Sequence, residues 1–138
     1  MIRALYDVNV ILDVLVARPS WVRDSRAALQ FAVERRIVGV IAAHTVTTLH
    51  YLIGRELGAK EANRAVSDLL GILAVEPVDE DRLRHALAFG WKDFEDAVQS
   101  ACAESAEVEY LVTRNKRDFR RAHVKVVTPA EFVALVGR

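Results

Sequence analysis

Three separated stretches of the chain carry acids and amides at spacings that suit metal or phosphate chemistry. Asp7 follows a short apolar run directly, Asp93 and Asp96 stand three residues apart, and Asn115 and Asp118 repeat that spacing. Each has a local explanation, because Asp or Asn at a helix N-cap, with an acid three residues on, accepts backbone N–H groups and suits the helix dipole. Gathered in one place, they mean more. Crowded carboxylates repel one another, and a protein gains little from that arrangement unless a cation neutralises it. Oxygen donors of this kind suit a hard divalent ion, Mg²⁺ or Mn²⁺.

Charge is segregated beside these acids. Residues 93–109 contain six acids and no Lys or Arg, whereas residues 113–123 contain one acid and five bases, Arg114, Lys116, Arg117, Arg120 and Arg121. The basic strip reads equally well as a solvated helix face or as a phosphate-binding surface. A divalent ion next to such a strip suits a phosphodiester, since the ion activates water and stabilises the leaving oxygen while the bases hold flanking phosphates. The reaction class expected is hydrolysis.

The elements that must position these residues follow from hydropathy. An apolar run at 2–6 predicts a strand, with a helix at 8–17 ended by Arg18-Pro19. A helix at 20–35, a buried strand at 37–42 and a helical hairpin come next; its first arm runs from His44 to Gly54 or Gly58 and its second over 61–73. Pro77 demotes the run 74–78 to an edge strand or a strand end, and Asp79 caps a helix reaching about Phe89. The last third predicts a helix at 93–106, a strand at 109–112, a helical turn from Asn115, a strand at 124–127 and a helix at 129–136 with Pro129 in its first turn.

Strands alternate with helices and no hairpin signal joins two strands. The fold class expected is therefore α/β, a parallel central sheet flanked by helices on both faces. In such a sheet, strand ends and helix starts collect at one edge, where binding sites form. Asp7, Asp93, Asp96, Asn115 and Asp118 all fall there.

Composition sets the outer bounds. The chain has 138 residues, 52% of them apolar, which predicts one domain over 1–138 with a core of its own. With 19 Lys and Arg against 19 Asp and Glu the net charge is zero, so a polyanion would have to be met by a local patch. The lone Cys102 excludes an intramolecular disulfide and a multi-cysteine zinc site, and a buried packing role is expected of it. No apolar run approaches the ~18 residues of a membrane span, and the opening Met1-Ile2-Arg3-Ala4-Leu5-Tyr6-Asp7 does not read as a signal peptide. A cytoplasmic protein without a membrane partner is expected.

With its segments in this order, the chain resembles the PIN-domain family, nucleases that include the VapC toxins of toxin–antitoxin systems. The resemblance covers nearly the whole chain. It is carried by Tyr6-Asp7-Val8-Asn9-Val10-Ile11-Leu12-Asp13, by Asp93-Phe94-Glu95-Asp96-Ala97 and by Thr113-Arg114-Asn115-Lys116-Arg117-Asp118-Phe119. It implies a PIN-like three-layer α/β/α fold and hydrolysis of single-stranded RNA at an acidic Mg²⁺ or Mn²⁺ site. It also implies an antitoxin partner whose basic or apolar tail enters the acidic groove, and it leaves a homodimer open. Carried over by position, Asp7, Asp96 and Asp118 become the main catalytic and metal-binding acids, with Asp93 a further ligand. Asn9, Asn115 and Thr48 stand around them, and the basic strip from Arg114 to Arg121 faces the RNA.

The chain departs from the family at one place. In the helix after the second strand the family usually supplies a glutamate, and this chain reads Thr45-Val46-Thr47-Thr48-Leu49-His50, with Thr48 in that place. A hydroxyl binds a divalent ion less strongly than a carboxylate. The alternative reading is therefore a catalytically weak or inactive PIN-like module that binds RNA or a protein partner. His44 and His50 are expected as a cap and a helix-surface residue, and Trp21 and Trp91 as packing residues. A phospho-receiver domain lacks its adjacent acid pair after the first strand, and no Gly-x-Gly-x-x-Gly supports a dinucleotide site.

Overall fold

Five short strands form one parallel sheet in the computed structural model, which describes residues 1–137. They are β1 (Arg3–Tyr6), β2 (Val38–Ala42), β3 (Ala74–Glu76), β4 (Tyr110–Val112) and β5 (Lys125–Val127), in the order β3-β2-β1-β4-β5. Seven α-helices surround them: α1 (Val8–Leu15), α2 (Val22–Val33), α3 (Ala43–Leu57), α4 (Ala59–Ile72), α5 (Glu80–Phe89), α6 (Phe94–Ser105) and α7 (Pro129–Val136). A 3-10 turn, Lys116–Phe119, follows β4. The α/β class and the parallel sheet are as the alternation predicted.

Side chains alternate across the strands and sort the core into two layers. Ala4, Tyr6, Ile41, Val112 and Val127 face α1, α2, α3, α4 and α7, where Ile11, Phe31, Leu49, Ile53, Leu69 and Phe132 bury them. Leu5, Val40, Ala42 and Leu111 face α5 and α6, where the small residues Ala97, Ala101, Cys102 and Ala103 let the helix lie close. Both faces are covered, as a parallel sheet requires. Cys102 has the expected buried role, and burial pushes its thiol up to about 12. No helix among the described residues is long and apolar enough to cross a membrane.

Two helix starts move by two residues from those the pattern predicts. The α2 helix starts at Val22 rather than Ser20, because Ala17 takes a left-handed φ of 50° and the Trp21 N–H closes a turn on the Arg18 carbonyl at 3.0 Å. The hairpin turns at Gly58 alone, whose φ of 93° only glycine adopts easily, so α4 starts at Ala59. Pro77 lies just past β3, and β3 is an edge strand.

Gly39 in β2 marks a close approach of α2 and the end of α4 to the sheet. A Cβ there would sit 2.6 Å from Leu73 Cδ2 and 2.8 Å from Ala32 Cβ, and both of those side chains are buried. Gly39→Ala is expected to destabilise the fold by about 1–3 kcal/mol through overpacking. Urea unfolding checks this, and a neutral result would mean that α2 and the end of α4 give way freely.

Candidate active site

Chain order reverses beside β1, since β2 and β3 lie on one side of it and β4 and β5 on the other. A crevice opens at the carboxyl ends of the strands at such a reversal. Asp7 sits at that point, as the last residue before α1 and its N-cap. Its Oδ1 accepts from the Val8 N–H at 2.8 Å and from Gln99 Nε2 at 2.9 Å, and its Oδ2 accepts from Thr113 Oγ1 at 2.9 Å. Burial raises its pKa, those three donors pull it down, and the charge of Asp118 raises it again.

The α6 N-terminus faces Asp7. Asp93 caps it, its Oδ1 accepting from the Asp96 N–H at 3.0 Å, so the local cap explanation holds for Asp93 in full. Asp96, one turn in, is half-buried. Burial and then the charges of Asp93, Asp7, Asp118 and Glu95 push it up to about 7. Gln99 lies one turn further on, almost fully buried, and bridges the two acids, with Nε2 also 3.5 Å from Asp96 Oδ1.

The third contribution follows β4. Thr113 donates to Asp7 while its Oγ1 accepts from the Asn115 N–H at 3.1 Å, which anchors the loop leading into the 3-10 turn. Asp118 on that turn joins Asp93 and Asp96 in lining a cleft of about 820 Å³, with Trp91, Phe94, Arg117, Arg120 and Arg121 among the other walls. Acids and bases thus line one cleft. Asn115 is exposed at the head of the turn.

The basic strip is divided three ways. Only Arg117, Arg120 and Arg121 reach the cleft. Lys116 pairs with Glu131 of α7 at 3.1 Å. Arg114 is mostly buried, 3.5 Å from the buried Asp13 and stacked 4.5 Å from the Trp21 ring centroid. Burial raises the pKa of Asp13, and the nearby Arg114 opposes that rise most. Ser25 also donates to Asp13, at 3.2 Å, and Arg18 lies 3.6 Å from it while donating to Asn9 Oδ1 at 3.4 Å. Asn9 therefore belongs to this neighbouring cluster, and Trp21 covers it while staying 44% exposed.

On the other side of the site stands α3. His44 in its first turn places Nε2 3.2 Å from the Glu95 carbonyl, and burial lowers the histidine's pKa. A neutral ring donating from Nε2 leaves Nδ1 bare, in keeping with its lack of a hydrogen-bond partner. Thr48, one turn on, has its hydroxyl proton shared between the His44 carbonyl at 3.2 Å and Glu95 Oε1 at 3.4 Å. His50 lies away from the site, bonded to Asn63 across the α3–α4 hairpin at 2.7 Å. Trp91 packs on Phe89 and Phe119.

Spacing alone misses Gln99, Thr113 and Glu95. Gln99 has one available signal, a polar residue on the otherwise apolar face of α6. The donor set fits a hard divalent cation, because a cation would offset the burial and the neighbouring negative charges that push Asp96 up to about 7. Among the described residues no three His, Cys, Asp or Glu side chains form a ready cage.

The family model described as PIN domain matches residues 3–117. No curated protein sequence matches the chain. Among solved structures, VapBC2 of Rickettsia felis bound to a promoter DNA fragment is 14% identical, with a TM-score of 0.70 over 92% of this chain and 98% of that one. A toxin-antitoxin complex from Klebsiella pneumoniae is 24% identical, with a TM-score of 0.67 over 91% and 97%. VapC20 of Mycobacterium tuberculosis, a toxin that cleaves the sarcin-ricin loop, is 16% identical, with a TM-score of 0.70 over 88% and 95%. At these identities the likeness is one of fold.

Proposed function

The chain belongs to the PIN domain family, and from that premise we propose that it is a metal-dependent ribonuclease, the toxin of a toxin–antitoxin pair, hydrolysing RNA phosphodiester bonds in the cleft beside α6. The observation that carries this reading is the mutual charge effect of Asp7, Asp96 and Asp118, brought from three distant segments, with Arg117, Arg120 and Arg121 lining the same cleft as Asp96 and Asp118. The similar folds of a cleaving toxin and of toxin–antitoxin complexes support it.

Asp7, Asp96 and Asp118 would hold Mg²⁺ or Mn²⁺, with Asp93 at their side. Such an ion, when bound, supplies Lewis acidity toward the phosphate and the attacking water. Gln99 and Thr113 orient Asp7, and each takes one of its two oxygens. Asp96 gains or loses a proton at its carboxylate near neutral pH. Arg117, Arg120 and Arg121 hold flanking phosphates, and Trp91 and Phe94 give a nucleobase an apolar wall. An antitoxin with a basic or apolar tail would compete for the same cleft.

Incubation of the protein with single-stranded RNA in Mn²⁺, against excess chelator, tests the reading. Cleavage with the ion and none with chelator is expected. The double variant Arg117→Ala/Arg121→Ala is expected to weaken RNA binding and to flatten its salt dependence by about 1.4 in the log–log slope. Thr48, in the place of a carboxylate, favours one other reading, a module that binds RNA without cutting it. Retained RNA binding with no cleavage in either ion would establish that reading instead.

A further inference from the structure

Asp13 is a fully buried carboxylate with no part in the chemistry above. Its Oδ2 accepts from Ser25 at 3.2 Å, while its Oδ1 lies 3.5 Å from Arg114 and 3.6 Å from Arg18 and accepts no hydrogen bond. A desolvated pair met this loosely is a poor source of stability, and packed apolar residues of similar volume would tie the same elements together at least as well. Its value lies in what it holds in place. Asp7 is the N-cap of α1, and Asp13 lies six residues on in the same helix, about 9 Å along its axis. The two acids meet consecutive residues beyond β4: Thr113 donates to Asp7 at 2.9 Å and Arg114 pairs with Asp13. Two points therefore clamp α1 to the β4 exit, and one of them is the Asp7 carboxylate.

We propose that Asp13 is a positioning residue for Asp7: through Arg114 it holds the β4 exit so that the Thr113 hydroxyl stays on the Asp7 carboxylate. Thr113 Oγ1 also accepts from the Asn115 N–H at 3.1 Å, so a swing of the backbone at residue 114 would strain both bonds of that hydroxyl. Arg114 is held against such a swing by Asp13 and by the Trp21 ring, whose centroid is 4.5 Å from its guanidinium carbon. Its side chain is only 15% exposed and turns inward, away from the bases that line the cleft. Arg18 and Ser25 fix the Asp13 carboxylate from the α1–α2 turn and from α2. The positioning belongs to the metal-free protein; its consequence for cation binding rests on the metal-nuclease reading above.

Amide hydrogen exchange in chelator tests this through the Asn115 N–H, with the Leu73 N–H, bonded to the Leu69 carbonyl at 2.8 Å, as a reference outside the clamp. Asp13→Asn keeps an acceptor for Ser25 and removes the charge, whereas Arg114→Met keeps most of the volume and leaves Asp13 to Arg18. Each is expected to speed exchange at Asn115 about fivefold or more beyond any change at Leu73. Mn²⁺ titration by calorimetry, without RNA, is expected to show a loss of about tenfold or more in either variant, and on a Thr113→Val background Asp13→Asn is expected to cost no more than about twofold further. Circular dichroism checks folding. Exchange at Asn115 that only follows Leu73, or losses that multiply in the Asp13→Asn/Thr113→Val double variant, overturns the proposal, because a merely structural pair loosens the whole fold and acts independently of Thr113. Faster exchange at Asn115 in a protein whose wild type binds no Mn²⁺ upholds the positioning and overturns the metal-nuclease reading.

Discussion

Asp96→Asn is expected to lower RNA cleavage by at least about a hundredfold and, at the same time, to make the metal-free protein more stable above neutral pH. The second half follows from charge. Burial and then neighbouring charges push the folded-state pKa of Asp96 up to about 7 from its ordinary 3.8, so the folded chain holds this proton more tightly than the unfolded chain. Stability from the group is fully present below about pH 4 and is lost as the pH rises through about 7. At pH 8 the carboxylate is ionised among Asp93, Asp7, Asp118 and Glu95 and works against the fold. Screening at this partly open position leaves a penalty on the order of 1–2 kcal/mol.

Asparagine cannot ionise. In chelator at pH 8 its melting temperature should exceed that of the wild type by about 3–6 °C, and the gap should close toward pH 5. Added Mn²⁺ should raise the wild type and leave the variant unmoved. Scanning fluorimetry at both pH values, with and without ion, checks all of this. A variant less stable than the wild type at pH 8 would show that Asp96 is held by contacts that favour its charge. If the protein is a toxin, growth arrest on expression should be relieved by the same substitution.

Phe132→Ala has the largest expected effect on stability, about 3–5 kcal/mol. Phe132 is fully buried at the middle of α7 and meets three rings edge-on, Tyr6, Phe31 and Tyr110, at 5.9–6.2 Å. Those rings lie on β1, α2 and β4, so one side chain joins the last helix to the two central strands that end at the site. The N-terminus of α7 is well secured, since Thr128 and Glu131 form a reciprocal capping box. The helix should therefore stay formed and lose its seat. Urea unfolding is expected to show the loss, with Phe132→Leu costing less than about 1.5 kcal/mol as the volume-sparing control. A cost below about 1 kcal/mol for alanine would mean that the three rings close over the gap.

Much of this architecture was legible before any coordinates. The 2–6 run, Gly39 within an apolar strand, Pro77 after a short one and the Thr128-Pro129 start of the last helix each carry a local signal, because backbone preference and burial period act over a few residues. The parallel sheet followed from the alternation of elements, and the acids at Asp7, Asp93, Asp96 and Asp118 fell at one edge for the same reason. Boundaries near Ala17 and Gly58 were harder. Each has a residue of positive φ beside a helix start; Gly58 left two turn positions open with Gly54, and alanine gives no sign of it at all.

The amino-acid sequence by itself determined the order of elements, the two faces of the sheet and the edge at which the acids gather, since each rests on local periodicity. Only the tertiary structure decided which polar groups meet. Gln99 reaches Asp7 across 92 residues, Thr113 reaches it across 106, and Thr48 meets Glu95 across 47. The same is true of the basic strip, where consecutive residues part toward Asp13, Glu131 and the cleft. Strand order and helix docking set those meetings, and neither leaves a mark in the spacing of the residues they join.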